Sequence, residues 1–202
     1  MYKIITISRE FGSAGRTIGK KLAEKLNYKF YDSELVNKVC EESGYHKDFV
    51  EKYSEDATSG SGVMFSFSRS GALSSNGQSL FDNLFIAQQK VILDLAKEGN
   101  MVIVGRCADY ILKDFDNVLN VFIYADYEAR KDRIIQEYGV KEDKAISKRI
   151  KDKDQKRKVY YKTYTGQEWG NPHNYDLSLN SSKLGIEKTV DLLYRIVRNE
   201  EQ

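Results

Sequence analysis

The opening of the chain constrains its fold more than any other stretch. The apolar run Ile4, Ile5, Ile7 is broken by Ser8-Arg9-Glu10-Phe11-Gly12-Ser13-Ala14-Gly15-Arg16-Thr17, and Ile18, Leu22 and Leu26 follow at helical spacing. That pattern reads as a strand, a loop of small residues and a helix start. Gly12, Ala14 and Gly15 let the backbone approach a guest closely, while the first amides of a helix have no intrahelical acceptor and carry the positive end of its dipole. The combination is an anion site, and phosphate is its natural guest.

The phosphate-loop pattern, glycine, four residues, then Gly-Lys-Ser/Thr, falls on Glu10 to Thr17. Gly15 and Thr17 fit, and Thr17 would offer a hydroxyl to magnesium. Glu10 stands where the first glycine belongs and Arg16 where the lysine belongs. A carboxylate near bound phosphates repels them, so Glu10 favours a plain strand-to-helix turn that binds nothing. Arg16 argues both ways, because a guanidinium grips two phosphate oxygens at once but is bulkier than an ammonium.

A chain of 202 residues with 41% hydrophobic content suits one compact domain with a mobile insert. No apolar stretch approaches a membrane span and no signal-peptide pattern is present, so a cytoplasmic protein with no membrane partner is expected. Cys40 and Cys107 form no CxxC, which suggests neither a disulfide framework nor a zinc site. Cys40, on a stripe with Leu35, Val36 and Val39, reads as a small buried hydrophobe. His46 and His173 read as surface residues. The net charge of +2 does not point to a nucleic acid polymer, but residues 141–158 hold nine basic and four acidic residues, a local +5. A solvated helix face is the ordinary explanation of such a run.

Along the chain, Tyr28 to Tyr31 reads as a second strand, with Asp32-Ser33 as N-cap candidates for a helix through Cys40. Ser54 to Gln78 is rich in Ser, Gly and Asn but holds Met64, Phe65 and Phe67, the mark of a flap rather than a linker. Leu80 to Glu98 returns to helix, with Phe81, Leu84, Phe85, Ile92 and Leu95 inward and Gly99 at its stop. Met101 to Val104 lacks polar alternation, as a central parallel strand requires, and runs into Gly105-Arg106. Val118 to Tyr124 repeats the pattern, and Asp126 caps a helix stopped by Gly139. The basic segment and an aromatic-rich stretch from Tyr160 to Tyr175 follow. Asp176 to Leu179 is a last short strand, and Ser181 or Ser182 introduces a helix with Ile186, Val190, Leu193 and Ile196 or Val197. Strands and helices alternate five times, which predicts an α/β fold, a parallel sheet with helices on both faces.

In these residues the chain resembles the cytidylate kinase-like family, in the nucleoside monophosphate kinase group of P-loop kinases. The resemblance is carried by Ile5 to Arg16, Tyr31-Asp32-Ser33, Val104-Gly105-Arg106, Asp154-x-x-Arg157-x-x-Tyr160-Tyr161, Tyr175-Asp176-Leu177 and Leu179-Asn180-Ser181. It implies a three-layer P-loop kinase fold over residues 1–202, with a five-stranded parallel sheet, an acceptor-binding insert at about 45–79 and a helical lid at about 140–163. The lid gives the local +5 its reason. The implied activity is ATP-dependent phosphoryl transfer, with Mg, to a nucleoside monophosphate, a pyrimidine such as CMP or dCMP.

The resemblance implies that Gly12, Ser13, Ala14, Gly15, Arg16 and Thr17 hold the ATP phosphates and that Thr17 binds Mg. Arg16, Lys153 and Arg157 act on the migrating group, and Asp32, Ser33, Lys38, Arg106 and Asp154 contact the acceptor. The sequence departs from the family's pattern at three places. Lys38 replaces an arginine, Cys107 stands where Gly-Arg-Asp has its aspartate, and Ile150 replaces a lid arginine. Two other readings stay open: a nucleotide-binding regulatory protein without catalysis, and a P-loop kinase for another small acceptor. The oligomeric state is unknown from the sequence.

Overall fold

The structure, a computed structural model, describes residues 2–32, 34–52, 80–139 and 143–199. Five strands, β1 (Ile4–Arg9), β2 (Lys29–Tyr31), β3 (Met101–Val104), β4 (Val118–Tyr124) and β5 (Leu177–Asn180), form one sheet in the order β2-β3-β1-β4-β5. All pairings are parallel, with Ile7 level with Val104 on one side and Val121 on the other. β1 is therefore central, and the loop that follows it opens at the middle of the sheet's carboxyl edge. That is where open α/β sheets bind ligands.

Every residue of β1 and β3 is buried, as strands covered on both faces must be. On one face, α1 (Gly15–Leu26) and the C-terminal helix α9 (Ile186–Arg198) pack Ile18, Leu22, Val190, Leu193 and Val197 on Ile5, Ile7 and Val121. On the other, α2 (Glu34–Ser43), α3 (Lys47–Lys52), α4 (Leu80–Glu98) and α5 (Ala108–Ile111) pack Leu35, Val39, Val50, Ile92 and Leu112 on Ile4, Met101 and Ile103. The helices α6 (Tyr127–Tyr138) and α7 (Asp143–Thr165) complete the carboxyl edge, and the short α8 (Ser181–Leu184) precedes α9.

Several boundaries differ from the sequence reading for local reasons. The lid and the start of the aromatic stretch are one helix, α7, that ends only at Thr165, where Gly166 takes a left-handed φ of 72°. The C-terminal helix is broken at Gly185, and Asn180, not a serine, caps the first piece by accepting from the amides of Ser182 and Lys183. Asp126 occupies the N-cap place of α6 without bonding its amides; its carboxylate accepts from Asn180 and pairs with Lys183 instead. Cys40 is only half-buried against the α2/α4 core. The expected flap and most of the insert, residues 53–79, lie outside the described residues, as does Ser33. Among the described residues no helix is long and apolar enough to cross a membrane.

Candidate active site

The loop between β1 and α1 owes its shape to two glycines. Gly12 has φ +80°, and a Cβ there would lie 2.9 Å from the Arg130 carbonyl oxygen. Gly15 needs no positive φ, but a Cβ would come 2.4 Å from Arg9 Cβ, so only glycine lets α1 start this close to the strand. Ser13 is fully buried. Its hydroxyl lies 2.9 Å from the Glu10 carbonyl and 3.0 Å from that of Ile123, and its amide donates to Glu10. Its side chain thus builds the loop from within. Ala14, in the left-handed region, is an N-cap without a capping side chain, and the Ile18 amide is the donor that reaches back to Ala14. The amides of Gly15, Arg16 and Thr17 stand at this uncapped helix start, which suits an anion.

Glu10 does not face that helix start. Its carboxylate accepts from the Ala125 amide at 3.2 Å and pairs with Arg130 at 3.2 Å. Burial raises its carboxyl above the usual glutamate range, which Arg130 only partly offsets. Arg130, from α6, also donates from Nε to the Phe11 carbonyl at 2.7 Å and pairs with Asp154 of α7. Asp154 Oδ1 accepts the Phe11 amide at 2.8 Å. Glu10, expected as a charge repelling phosphate, is turned to Arg130, which it shares with Asp154. Asp154, expected at the acceptor, is committed to the loop. Sequence reading missed Arg130, because a lone arginine on an amphipathic helix carries no motif.

The lid helix docks through its apolar side. Ile146 and Ile150 pack with Ile134 on Phe11, so the residue standing at the family's lid arginine is a core contact. Arg149 and Arg157 lie 5.6 and 5.9 Å from the centroid of the Phe11 ring, within cation–π range. Arg157 is buried and donates to the carbonyl of Arg9, the last residue of β1. Lys153 lies half-buried one turn before it, and burial lowers the ammonium pKa of the neighbouring Lys156.

At the tip of β3, Gly105, Arg106 and Cys107 all take positive φ, at 72°, 63° and 54°. Two non-glycine residues in succession there are strained, and the surroundings must hold them. Gln88 of α4 does so, donating to the Arg106 carbonyl at 3.1 Å and to Tyr160 Oη at 3.1 Å. Beside it, Tyr161 donates to the buried Asp109 at 2.6 Å. Burial, then the Asp109 charge, pushes the phenols of Tyr161 and Tyr175 up, and burial does the same to Tyr160. The tyrosines at the C-terminal end of α7 thus form a neutral wall, where Phe85 of α4 stacks on Tyr164 at 4.0 Å. No sequence motif announces Gln88 or the Asp109–Tyr161 pair.

The sequence-predicted residues separate into groups. Arg16, exposed at 67%, pairs through Nε with Asp32, so the tips of β1 and β2 are joined. Thr17 is half-exposed on the first turn of α1, Arg106 follows β3, and Arg157 closes on the end of β1. Lys38 is exposed on α2, where it joins Lys29 in holding the Glu98 carboxyl low, Lys29 being the larger cause. Among the described residues no cluster of three or more His, Cys, Asp or Glu could hold a metal ion. A magnesium bound with nucleotide phosphates needs fewer protein ligands than that, and the residue present for it is Thr17.

Comparison with known proteins matches residues 4–183 to the cytidylate kinase-like family. The cytidylate kinase of Pyrococcus horikoshii is 27% identical over 91% of this chain and 82% of that protein. That of Archaeoglobus fulgidus is 27% identical over 96% and 93%. Among solved structures, an uncharacterized protein from Eubacterium ventriosum superposes with a TM-score of 0.72 at 28% identity, covering 98% of this chain and 99% of the other. A shikimate kinase from Bacteroides thetaiotaomicron shares the fold, with a TM-score of 0.53 at 19% identity, covering 98% and 99%.

Proposed function

Because the chain belongs to the cytidylate kinase-like family, we propose that this phosphotransferase moves the terminal phosphoryl group of ATP to a nucleoside monophosphate, with a pyrimidine such as CMP or dCMP as acceptor. The observation that carries the reading is the uncapped start of α1 at the middle of the sheet edge, with Arg106 after β3, Arg157 of α7 on the end of β1 and Arg16 of α1 paired with Asp32 after β2. The second pKa of a phosphate monoester is near ~6, so the acceptor is mostly dianionic at neutral pH and needs little general-base help. What remains is positioning and charge neutralisation.

In this reading the amides of Gly12 to Thr17 cradle the β-phosphate, and Arg16 leaves Asp32 to span the β and γ oxygens. Arg106 holds the acceptor phosphate, and Arg157 and Lys153 stand against the migrating group and exclude water. Thr17 would hold magnesium, which when bound supplies charge neutralisation at the phosphate oxygens. Lys38, exposed on α2, would hold the acceptor phosphate together with Arg106. The chain works as one kinase domain.

A different acceptor is favoured by one observation. Cys107 is buried beside Tyr160 and Tyr161, where the pyrimidine-binding pattern has a carboxylate. A coupled ADP-release screen over CMP, dCMP, UMP, AMP, GMP and small alcohols and acids separates the readings. Turnover with CMP or dCMP supports the proposal, turnover only off the nucleotide list selects another acceptor, and Mg-ATP binding without any acceptor-dependent turnover selects a regulatory binder. Removing one charge contact costs about 3 kcal/mol in the transition state, so Arg16→Ala should lower turnover at least ~10-fold.

A further inference from the structure

We infer that Arg130 and Asp154 are positioning residues for the phosphate loop, and that Asp154 serves the ATP side of the reaction rather than the acceptor side. The inference deepens the kinase reading and rests on it. Three segments remote in sequence meet at one residue, Phe11. The Phe11 amide donates to Asp154 Oδ1 at 2.8 Å, and the Phe11 carbonyl accepts from Arg130 Nε at 2.7 Å. Arg130 then closes the ring by pairing with Asp154 Oδ2 and with Glu10 at 3.2 Å. The side chains are 7% exposed for Arg130 and 14% for Asp154.

Both oxygens of Asp154 therefore accept from the protein. To turn away toward a ribose hydroxyl, Asp154 would have to give up both the Phe11 amide and its pair with Arg130, a loss that one hydroxyl does not offset. The loop also rests directly on α6, since a Cβ at Gly12 would meet the Arg130 carbonyl at 2.9 Å. Holding both the N–H and the C=O of Phe11 fixes the two peptide groups on either side of it, immediately before the amides of Gly12 to Thr17. In this loop a carboxylate and a guanidinium from other helices set the backbone, and Glu10 is a second acceptor for that guanidinium.

The test uses the full chain with Asp154→Asn and Arg130→Lys. An asparagine presents an NH2 group to one of the two donors that the carboxylate accepts from, and a lysine keeps the charge but loses the fork. The dissociation constant of Mg-ATP is measured by calorimetry without acceptor, and KM for CMP at saturating ATP. Both variants should weaken Mg-ATP at least ~10-fold while KM for CMP changes less than ~3-fold, the mark of a displaced loop. A rise in KM for CMP with unchanged Mg-ATP affinity overturns the inference, and so does no change in either constant.

If the variants do not fold, amide exchange in the wild type decides. The Phe11 amide should exchange more slowly than those of Gly15 to Thr17 and stay protected when CMP is added; loss of protection on CMP binding overturns the assignment. Wild-type protein that binds Mg-ATP but turns over no acceptor refutes the kinase reading and leaves this comparison readable.

Discussion

Replacing Gly15 by alanine isolates how much of catalysis depends on the seat of α1. A Cβ at this position would lie 2.4 Å from Arg9 Cβ and 2.9 Å from Arg9 Cγ. The nearer atom is fixed to the central strand and cannot swing aside. Ordinary carbon contact is about 3.5 Å, so the start of α1 must retreat by about 1 Å. Overpacking of this kind costs roughly 1–3 kcal/mol, and alanine returns up to ~1 kcal/mol through its helix propensity. The net loss of about 0–2 kcal/mol lowers Tm by at most roughly 8 °C in a domain of this size. The same 1 Å displaces the amides that meet the phosphates, and a misplacement of that size costs about 100-fold in rate. Steady-state kinetics should therefore show kcat/KM for ATP down about 100-fold in a protein that still folds. Gly139→Ala is the control: among the described residues nothing lies within 4 Å of a Cβ there, and its φ of +64° is the strain. It should lose about 1–2 kcal/mol of stability and no activity. A Gly15→Ala enzyme within ~3-fold of wild type would refute the argument that this glycine sets the distance between loop and strand.

Three other outcomes follow from the same contacts. Ile150→Arg, which restores the residue type of the family's pattern, buries a charge among Phe11, Ile134 and Ile146; a loss of about 3 kcal/mol, or roughly 6 °C or more in Tm, is expected without gain in turnover. A thermal melt showing no loss would count against the docked position of α7. Gln88→Leu removes the donor to the Arg106 carbonyl, costs about 1–3 kcal/mol, and should raise KM for the acceptor more than KM for ATP; equal changes in the two constants would disconnect the β3 tip from acceptor binding. Burial raises the Glu10 carboxyl above its ordinary value of 4.5, so its contribution to stability is fully present below that value and is lost as pH rises through the native one. The Tm of Glu10→Gln minus that of wild type should become more positive from pH 4 to pH 7, and a flat or falling difference in melts across that range contradicts the shift.

The fold was legible in the sequence because its signals are local. Uninterrupted apolar runs mark β1, β3 and β4, the spacing of Ile18, Leu22 and Leu26 marks α1, and glycines at 99 and 139 mark helix ends. The extent of α7 was not legible, because charge dominates its first half and tyrosine its second, and a helix buried on different sides along its length shows no single periodic stripe. In the site, the loop and the strand tips could be read because they follow the pattern of residue types. Arg130, Gln88 and the turning of Glu10 could not, since each is defined by a partner more than seventeen residues away, and a one-dimensional pattern does not encode such pairs.

The continuity of α7 makes it a lever. Its C-terminal part is anchored by Tyr160, Tyr161 and Thr165, all buried, while Ile146 sits about 22 Å away along the axis at 1.5 Å per residue. Pivoting about Tyr161, a tilt of about 13° lifts Ile146 by about 5 Å and Asp154 by about 2.4 Å. The ties of Asp154 to Phe11 and Arg130 therefore act on the shorter arm as a latch that holds the outer end of the rod down.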